Sequence, residues 1–251
     1  MRKDSFQPIS VKPPSSNPLL FRIRCLVDLQ LATIVRPLRP AMAALPAGEI
    51  LDVGAGESPW KEWLPAHCRY QGIDIANAAE FAMSARHDDV VLYDGGTMPL
   101  ADRRFDGALC IEVLEHAQDP GRLLDEIARV LKPGAPLLLT VPWSARRHHI
   151  PHDYHRFTRE RLATLLPEHG FADVAIAERG NDIAVISNKL LVATIRLVKS
   201  TTPVNAIVQV PLAIVFAALS AFMLAMAHLS MRLGRGSAED PLGYFCRAVR
   251  A

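Results

Sequence analysis

Short apolar runs alternate with helical stretches through the middle of the chain. The segment 120–134 places Leu123, Leu124, Ile127 and Leu131 on one helical face and ends at Pro133-Gly134. Strands separated by such helices predict a parallel sheet with right-handed crossovers, and hence a doubly wound α/β fold. The predicted strands are EILDVG (49–54), RYQGIDI (69–75), DVVLYD (89–94), FDGALCIE (105–112), APLLLTVP (135–142), FADVAIAER (171–179) and GYFCRAVRA (243–251).

The two ends of the chain frame this alternating region. Residues 1–18 hold four prolines among serines and predict a disordered lead-in. Apolar residues then recur at helical spacing from Leu19 to Leu45, which indicates one or two edge helices broken by Pro37 and Pro40. The predicted core domain comprises 19–180 and 241–251, and an apolar helical hairpin at 181–240 is inserted before the last strand.

The second helix of that hairpin carries no charge. No Asp, Glu, Lys or Arg occurs between Lys199 and Arg232, and 206–227 is long enough to span a bilayer. A single span would prevent 243–251 from returning to the sheet, and Lys189 makes the preceding helix a poor second span. We therefore expect 183–231 to contact the cytoplasmic face of a membrane as a peripheral or monotopic hairpin. The alternative is a hairpin buried against the domain or in a homodimer interface.

Composition narrows the class of protein. A net charge of +2 and the lack of a dense basic run with interleaved aromatics give no case for nucleic-acid binding. The four cysteines form no CxxC pair, so reduced thiols in a cytoplasmic setting are expected. No apolar core follows the charged N-terminus, so no signal peptide is predicted.

Two strand ends carry a candidate nucleotide site. Asp52-Val53-Gly54-Ala55-Gly56 follows the first strand, and its glycines allow a tight turn that brings backbone N–H groups close to a ligand. Asp74 ends the second strand, where a carboxylate can accept hydrogen bonds from ribose hydroxyls. The third glycine of the dinucleotide fingerprint is missing. The alternatives are an ordinary strand-to-helix turn and a surface acid.

The order of several segments resembles one family. ILDVGAG, GIDI, MPLADRRFD, EVLEH and RVLKPG are similar to the successive motifs of the class I S-adenosylmethionine-dependent methyltransferases, in the group that includes the ubiquinone-biosynthesis methyltransferases. The resemblance covers about residues 48–175 and implies a Rossmann-like fold with S-adenosyl-L-methionine as cofactor. By this resemblance the loop Asp52–Gly56 holds the methionine end and Asp74 the ribose. The remaining implied cofactor residues are Ala55, Ile75, Asp94, Gly95, Cys110, Ile111 and Glu112.

A histidine-rich loop follows the fifth strand, at the edge where acceptor-recognition loops belong. Within 141–158 we predict acid/base or acceptor-binding roles for His149, His152, Asp153 and Tyr154, and His116 in EVLEH joins them as a catalytic candidate. In the structural alternative, Asp153 or Arg156 ties the loop to the next helix. The histidine spacing matches no standard ligand set, so no metal is predicted.

These observations predict an S-adenosylmethionine-dependent methyltransferase at the inner face of the cytoplasmic membrane. Its acceptor is a small molecule, a glycan or a lipid-linked compound, and this part of the hypothesis rests on location alone. Two alternatives remain open: an NAD(P)-dependent oxidoreductase, which the incomplete glycine fingerprint disfavours, and a non-catalytic methyltransferase-like binding module.

Overall fold

The computed structural model describes residues 9–76, 88–199 and 202–251. Its helices and strands follow the predicted alternation, with short 3-10 turns at Pro14–Ser16, Lys61–Trp63 and Leu114–His116. The helices are α1 (Pro18–Val27), α2 (Leu29–Ala43), α3 (Pro120–Val130), α4 (Arg159–Glu168), α5 (Asp182–Lys199) and α6 (Ala206–Leu233). The strands are β1 (Gly48–Val53), β2 (Cys68–Ile75), β3 (Val90–Tyr93), β4 (Gly107–Ile111), β5 (Pro136–Pro142), β6 (Phe171–Arg179) and β7 (Gly243–Arg250).

The strands form one seven-stranded sheet in the order β3-β2-β1-β4-β5-β7-β6. Strands β1 to β5 pair in parallel, and β7 runs antiparallel to both β5 and β6. The doubly wound, mostly parallel fold is thus confirmed. The strand order reverses at β1, between β2 and β4, and a ligand crevice is expected outside the carboxyl ends of the strands at such a switch point.

Successive side chains of the central strands point to opposite faces of the sheet, so helices cover both faces. On β4, Ala108 and Cys110 join a core with α3 and α4, whereas Leu109 and Ile111 join a core with α2. Continuous apolar strands of this kind are expected where both faces are buried.

The N-terminal segment differs from the sequence prediction in one respect. Pro37 and Pro40 lie inside α2, which runs unbroken from Leu29 to Ala43, because the apolar face of this helix is held against the sheet by Ile34, Leu38 and Met42. Of the predicted lead-in, residues 1–8 lie outside the described part of the chain. The remainder includes the turn Pro14–Ser16, where the Ser15 N–H donates to the Glu62 carboxylate.

Helices α5 and α6 form the hairpin that precedes the last strand. Its base packs through Ala184, Val185 and Ala227 against Leu29 and Leu242. Asn181 lies at this base: its Oδ1 accepts from the Ala184 N–H, and its Nδ2 donates to the Arg235 carbonyl. Since β6 ends and β7 begins at the carboxyl edge of the parallel strands, the hairpin leaves the sheet from the edge where the ligand crevice is expected.

Candidate active site

Strand register brings the predicted cofactor residues to one edge. Val53 of β1 lies beside Ile73 of β2 and beside Cys110 of β4. The glycine loop after β1, Asp74 near the end of β2 and Glu112 just after β4 are therefore neighbours in space. The sequence predicted this grouping from the chain order of the strands, and the parallel pairing produces it.

The glycine loop closes over the end of β2. Gly54 has a φ of +68°, and a Cβ added there would lie 2.4 Å from a methyl group of Val113, so both its conformation and its surroundings require glycine. The loop is tied to β2 because the Gly56 N–H donates to Asp74 Oδ2 at 2.8 Å. Asp74 Oδ1 accepts from the Ile75 N–H at 2.7 Å. The Asp74 carboxylate is thus held in one orientation before any ligand arrives.

Asp52 is a buried acid beneath the loop. Its Oδ2 accepts a hydrogen bond from the Tyr70 hydroxyl at 2.9 Å, and Tyr70 is also hydrogen-bonded to Ser58. The pKa of Asp52 is raised to about 7, chiefly by burial. The hydrogen bond from Tyr70 lowers this pKa, and the nearby Asp74 raises it. A cationic ligand group beside this carboxyl would favour its ionised form.

The other predicted cofactor residues lie in three settings. Asp94 and Gly95 form an exposed turn after β3, in which the Asp94 carboxylate accepts from the Gly96 N–H. Cys110 is fully buried in the core, and burial raises the pKa of its thiol. Glu112 adopts a φ of +56° at the tip of β4, where its backbone N–H donates to the Thr140 carbonyl.

Glu112 has a partner that the sequence analysis missed. Arg179, the last residue of β6, is almost fully buried and donates to Glu112 Oε1 at 2.8 Å. The same guanidinium also donates to the carbonyls of Val141 and Tyr244. A lone arginine at a strand end carries no sequence signal for this role, because the pairing joins two strands 67 residues apart.

The histidine-rich loop docks onto the turn that follows β4. The backbone N–H groups of Tyr154 and His155 both donate to the Glu115 carbonyl. The Asp153 carboxylate is held by hydrogen bonds within the loop. Arg156 donates to both of its oxygens, and the His148 N–H donates a third hydrogen bond. Burial alone would raise the pKa of Asp153, but these donors hold it below its ordinary value. This placement favours the structural alternative for Asp153, within its own loop.

The other catalytic candidates surround His116. Its Nδ1 lies 2.6 Å from the His152 carbonyl, which can only accept, so Nδ1 carries the proton. Burial, reinforced by His148, lowers the pKa of His116 to about 4, so its ring is neutral near pH 7. The His149 ring lies 5.2 Å from the His116 ring. Tyr154 is more exposed, and its hydroxyl is hydrogen-bonded to His152 and Gln118.

Glu115, next to His116, is a second residue that the sequence analysis missed. Glu115 is completely buried, and neither carboxylate oxygen has a hydrogen-bond partner within the described residues. One ligand atom each from Glu115, His116 and His148 lies within 4.8 Å of the others, a grouping that could hold a metal ion. Ligand spacing along the sequence could not reveal it, because the three groups come from two separate loops.

The residues present fit S-adenosylmethionine. Its ribose hydroxyls call for a preoriented acceptor such as Asp74, and its cationic groups suit an edge lined by Asp52, Asp74 and Glu112. The strand order, the glycine loop and Asp74 match the arrangement of a class I S-adenosylmethionine-dependent methyltransferase domain.

Comparison with known proteins leads to the same class. Residues 51–139 match the family described as "Methyltransferase domain". The chain is 32% identical over 110 residues to a tRNA (carboxymethyluridine(34)-5-O)-methyltransferase of Arabidopsis thaliana, covering 42% of this chain and 27% of that protein. It is 31% identical over 119 residues to a ubiquinone biosynthesis O-methyltransferase of Hahella chejuensis, covering 42% and 50%.

Solved structures share the fold at low sequence identity. A methyltransferase from Mesorhizobium loti superposes with a TM-score of 0.53 at 15% identity, covering 88% of this chain and all of that one. The [4+2]-cyclase SpnF gives the same TM-score at 21% identity, covering 88% and 82%. The chain spans about a quarter to a half of the length of the curated relatives named above. The match to the methyltransferase family supports S-adenosyl-L-methionine as the cofactor and favours it over the NAD(P) alternative.

Replacing Asp74 tests the cofactor site. We expect Asp74→Ala to weaken S-adenosylmethionine binding at least tenfold, about 1.4 kcal/mol, because the ribose acceptor and the tie to Gly56 are both lost. Isothermal titration calorimetry measures the affinity for S-adenosylmethionine and, in a separate titration, the affinity for NADH. Asp102→Ala, at the opposite edge of the sheet, is the control and should bind as the wild type does. Equal affinity in both variants would contradict the assignment.

The buried Asp52 carboxyl predicts a pH dependence of stability. Its folded-state pKa of about 7 lies above the ordinary value, so the folded protein retains a proton that the unfolded chain has released. Its contribution to stability is therefore full below about pH 4 and is lost as the pH rises through 7. We expect Asp52→Asn to reduce the change in unfolding free energy between pH 5 and 8 by about 1–3 kcal/mol. Parallel pH profiles from denaturant titrations of both proteins would contradict this.

Proposed function

We propose that this protein transfers the methyl group of S-adenosylmethionine to an amphipathic acceptor, either lipid-linked or partly embedded in lipid, at the cytoplasmic face of a membrane. The observation that carries the location is the α5–α6 hairpin. Its outer surface is apolar, and it leaves the sheet at the edge that holds the glycine loop and Asp74. An acceptor anchored in that membrane would lie on the same side of the domain as the cofactor.

The hairpin has the pattern of a lipid-facing helix pair. In α6 the buried residues are small or polar, Ser220, Ala227 and Ser230, whereas large apolar side chains face outward. The exposed ones include Ile207, Val208, Ile214, Val215, Leu219 and Phe222. Helix pairs in water bury their large apolar side chains, whereas here those side chains face outward. This pattern supports an apolar environment around the hairpin.

The contact between the two helices supports the same environment. Thr194 of α5 and Ser220 of α6 are both buried, and their hydroxyl oxygens lie 2.8 Å apart. Small residues and hydroxyl hydrogen bonds between helices are typical of packing in lipid, where apolar contact between helices gives little advantage over contact with lipid. Among the described helices, α6 alone is both long enough and apolar enough to cross a membrane. Only 11% of its most apolar stretch is buried in the protein.

The distribution of charge supports a hairpin that lies along the membrane interface rather than one that spans the bilayer. Arg196 and Lys199 lie near its tip, and Arg232 and Arg235 lie at its base. Basic residues favour the cytoplasmic headgroups, so both ends of the hairpin suit the same side. Helix α1 adds a further apolar face, with Leu19, Leu20, Ile23 and Leu26 exposed, and α6 is tied to it by His228, whose Nε2 lies 2.8 Å from the Leu26 carbonyl.

Methyl transfer requires little chemistry from the chain itself. The sulfonium is already an activated electrophile, so the enzyme aligns the acceptor and excludes water. His149 and Tyr154, in the loop that covers the turn after β4, are the side chains we propose to contact the acceptor. A general base is needed only for an acceptor that must lose a proton.

The membrane contact is tested by flotation with vesicles. Wild-type protein should float with vesicles containing phosphatidylglycerol, and the triple variant Ile214→Gln, Val215→Gln, Phe222→Gln should float at least tenfold less, because each lost apolar side chain removes about 1.5–3 kcal/mol of burial. Leu92→Gln, on β3, is the control for an exposed apolar residue elsewhere. A dimeric wild type that stays with the soluble fraction would favour the homodimer alternative.

The activity is tested with labelled cofactor. Protein, S-adenosylmethionine labelled at its methyl group, and vesicles made from a total lipid extract should yield label in the organic phase. Asp74→Ala should reduce that label at least tenfold at subsaturating cofactor, in line with its lost affinity. Label confined to aqueous products would contradict a lipid-linked acceptor. No label in any fraction, with cofactor binding intact, would favour the non-catalytic module.

A further inference from the structure

A buried network of hydrogen bonds joins β1, β2 and the glycine loop. The Tyr70 hydroxyl oxygen lies 2.9 Å from Asp52 Oδ2 and also 2.9 Å from Ser58 Oγ. A hydroxyl has one proton to donate, and an ionised carboxylate can only accept. When Asp52 is ionised, Tyr70 therefore donates to Asp52 and accepts from Ser58, so both hydrogen bonds of this Ser58–Tyr70–Asp52 network are directed toward the carboxylate.

Strand register leaves room for Tyr70 to reach Asp52. Tyr70 and Gly72 are two residues apart on β2 and so share one face of the sheet, and Gly72 lies beside Asp52 of β1. A Cβ added at Gly72 would lie 3.1 Å from the Tyr70 hydroxyl oxygen and 2.9 Å from the Cβ of Ala55. The space that a side chain would fill at Gly72 is thus taken by the Tyr70 hydroxyl and the glycine loop.

Ser58 has a backbone conformation that glycine adopts more readily. Its φ is +50°, and the residue is buried. Its N–H donates to the Ala55 carbonyl at 2.7 Å, a bond that the backbone of a glycine would make equally well. The left-handed conformation costs a non-glycine residue free energy. What serine adds at this position is its hydroxyl, whose hydrogen bond goes to Tyr70.

Asp52 has one oxygen held by Tyr70 and one left for a ligand. No donor reaches its Oδ1 from the described residues. Burial and the nearby Asp74 raise the pKa of Asp52, whereas the hydrogen bond from Tyr70 lowers it. The nearest cation on this side is Lys61, whose Nζ lies 5.3 Å from the centroid of the Tyr70 ring and is paired with Asp89. The Asp52 carboxyl therefore depends on the Tyr70 hydroxyl to favour its ionised form before a ligand arrives.

We propose that Tyr70 and Ser58 are positioning residues for the cofactor, which hold the Asp52 carboxylate ionised and in one orientation so that it takes the α-ammonium group of S-adenosylmethionine. Both side chains act through Asp52. An ammonium ion binds a carboxylate more strongly than it binds a neutral carboxyl group, and linked hydrogen bonds strengthen one another. This role involves the cofactor only, so it is independent of the methyl acceptor and of the membrane contact.

Calorimetric titration with two ligands distinguishes this role from a structural one. S-adenosylmethionine carries the amino acid end, whereas 5′-methylthioadenosine keeps the ribose and the adenine and lacks that end. At pH 6 we expect Tyr70→Phe to bind S-adenosylmethionine about tenfold more weakly than the wild type and to bind 5′-methylthioadenosine within about twofold of it. Tyr244→Phe is the matched control, a buried tyrosine on β7, three strands from β1, and should bind both ligands as the wild type does.

The same comparison should depend on pH. Loss of the Tyr70 donor raises the pKa of Asp52 further, by about one pH unit, so the variant ionises only at higher pH. The tenfold difference in affinity at pH 6 should therefore shrink to about twofold or less at pH 8.5. The ligand's amino group titrates at about pH 8 for both proteins alike and cancels in the ratio. The other titratable groups around Asp52, namely Asp74 and the Cys110 thiol, are common to both proteins.

Substitutions at Ser58 separate the hydroxyl from the backbone conformation. Both Ser58→Gly and Ser58→Ala lose the hydrogen bond to Tyr70, but only glycine adopts a φ of +50° without cost. We expect both variants to bind S-adenosylmethionine about threefold or more weakly at pH 6. Urea titration should show Ser58→Gly to be the more stable of the two. Circular dichroism confirms that each variant is folded.

Two results would overturn this role. One is an equal loss of affinity for both ligands in Tyr70→Phe, or a loss that stays the same from pH 6 to 8.5, because either would mark Tyr70 as support for the loop alone. The other is wild-type affinity for S-adenosylmethionine in Tyr70→Phe and Ser58→Gly. Folded wild type that does not bind S-adenosylmethionine would overturn this role together with the cofactor assignment. Cofactor binding without methyl transfer would contradict only the proposed function.

Discussion

The parallel pairing of β1 with β2 on one side and with β4 on the other is the constraint on which the rest of the structure depends. It places Val53 beside both Ile73 and Cys110, so three strand ends open at one edge. The glycine loop, Asp74 and Glu112 follow those ends within a few residues. Because β6 also ends at this edge and β7 begins there, the apolar hairpin must leave the domain beside the cofactor crevice.

Ionisable groups are concentrated at the same edge, where burial disfavours their charged forms. Asp52, Asp74, Glu115 and Arg179 are all buried. Asp74 is compensated by two backbone N–H groups, and Arg179 by Glu112 and two carbonyls. Asp52 has the Tyr70 hydroxyl, whereas Glu115 has no hydrogen-bond donor in the described chain. Buried ionisable groups that protein contacts compensate poorly are characteristic of sites that bind ligands, and a cationic cofactor would favour the ionised form of the Asp52 carboxyl.

The hairpin meets a different physical requirement. Its inner contact is formed by small and hydroxyl-bearing residues, and its outer surface by large apolar ones. In water this would leave a row of large apolar side chains exposed along one helix, including Ile207, Ile214, Val215 and Phe222, and an exposed apolar patch of this kind marks an interaction surface. The proposed membrane interface would remove that surface from water and hold the crevice close to lipid. Under the proposed function, this arrangement would bring a soluble cofactor to an acceptor that dissolves poorly in water.

Local periodicity and short spacing along the chain were enough to predict the order of strands and helices, the glycine loop, Asp74 and the apolar hairpin. The sequence also indicated the class through the order of its motifs. The continuity of α2 through Pro37 and Pro40 depended on packing of its apolar face against the sheet, which local propensity does not register. Only the tertiary structure showed that Arg179 pairs with Glu112, that Asp153 holds its own loop, and that Glu115 faces His116 and His148. Those relations join residues from separate loops and strands, and the distances between them are decided by how the strands pair rather than by their separation in the chain.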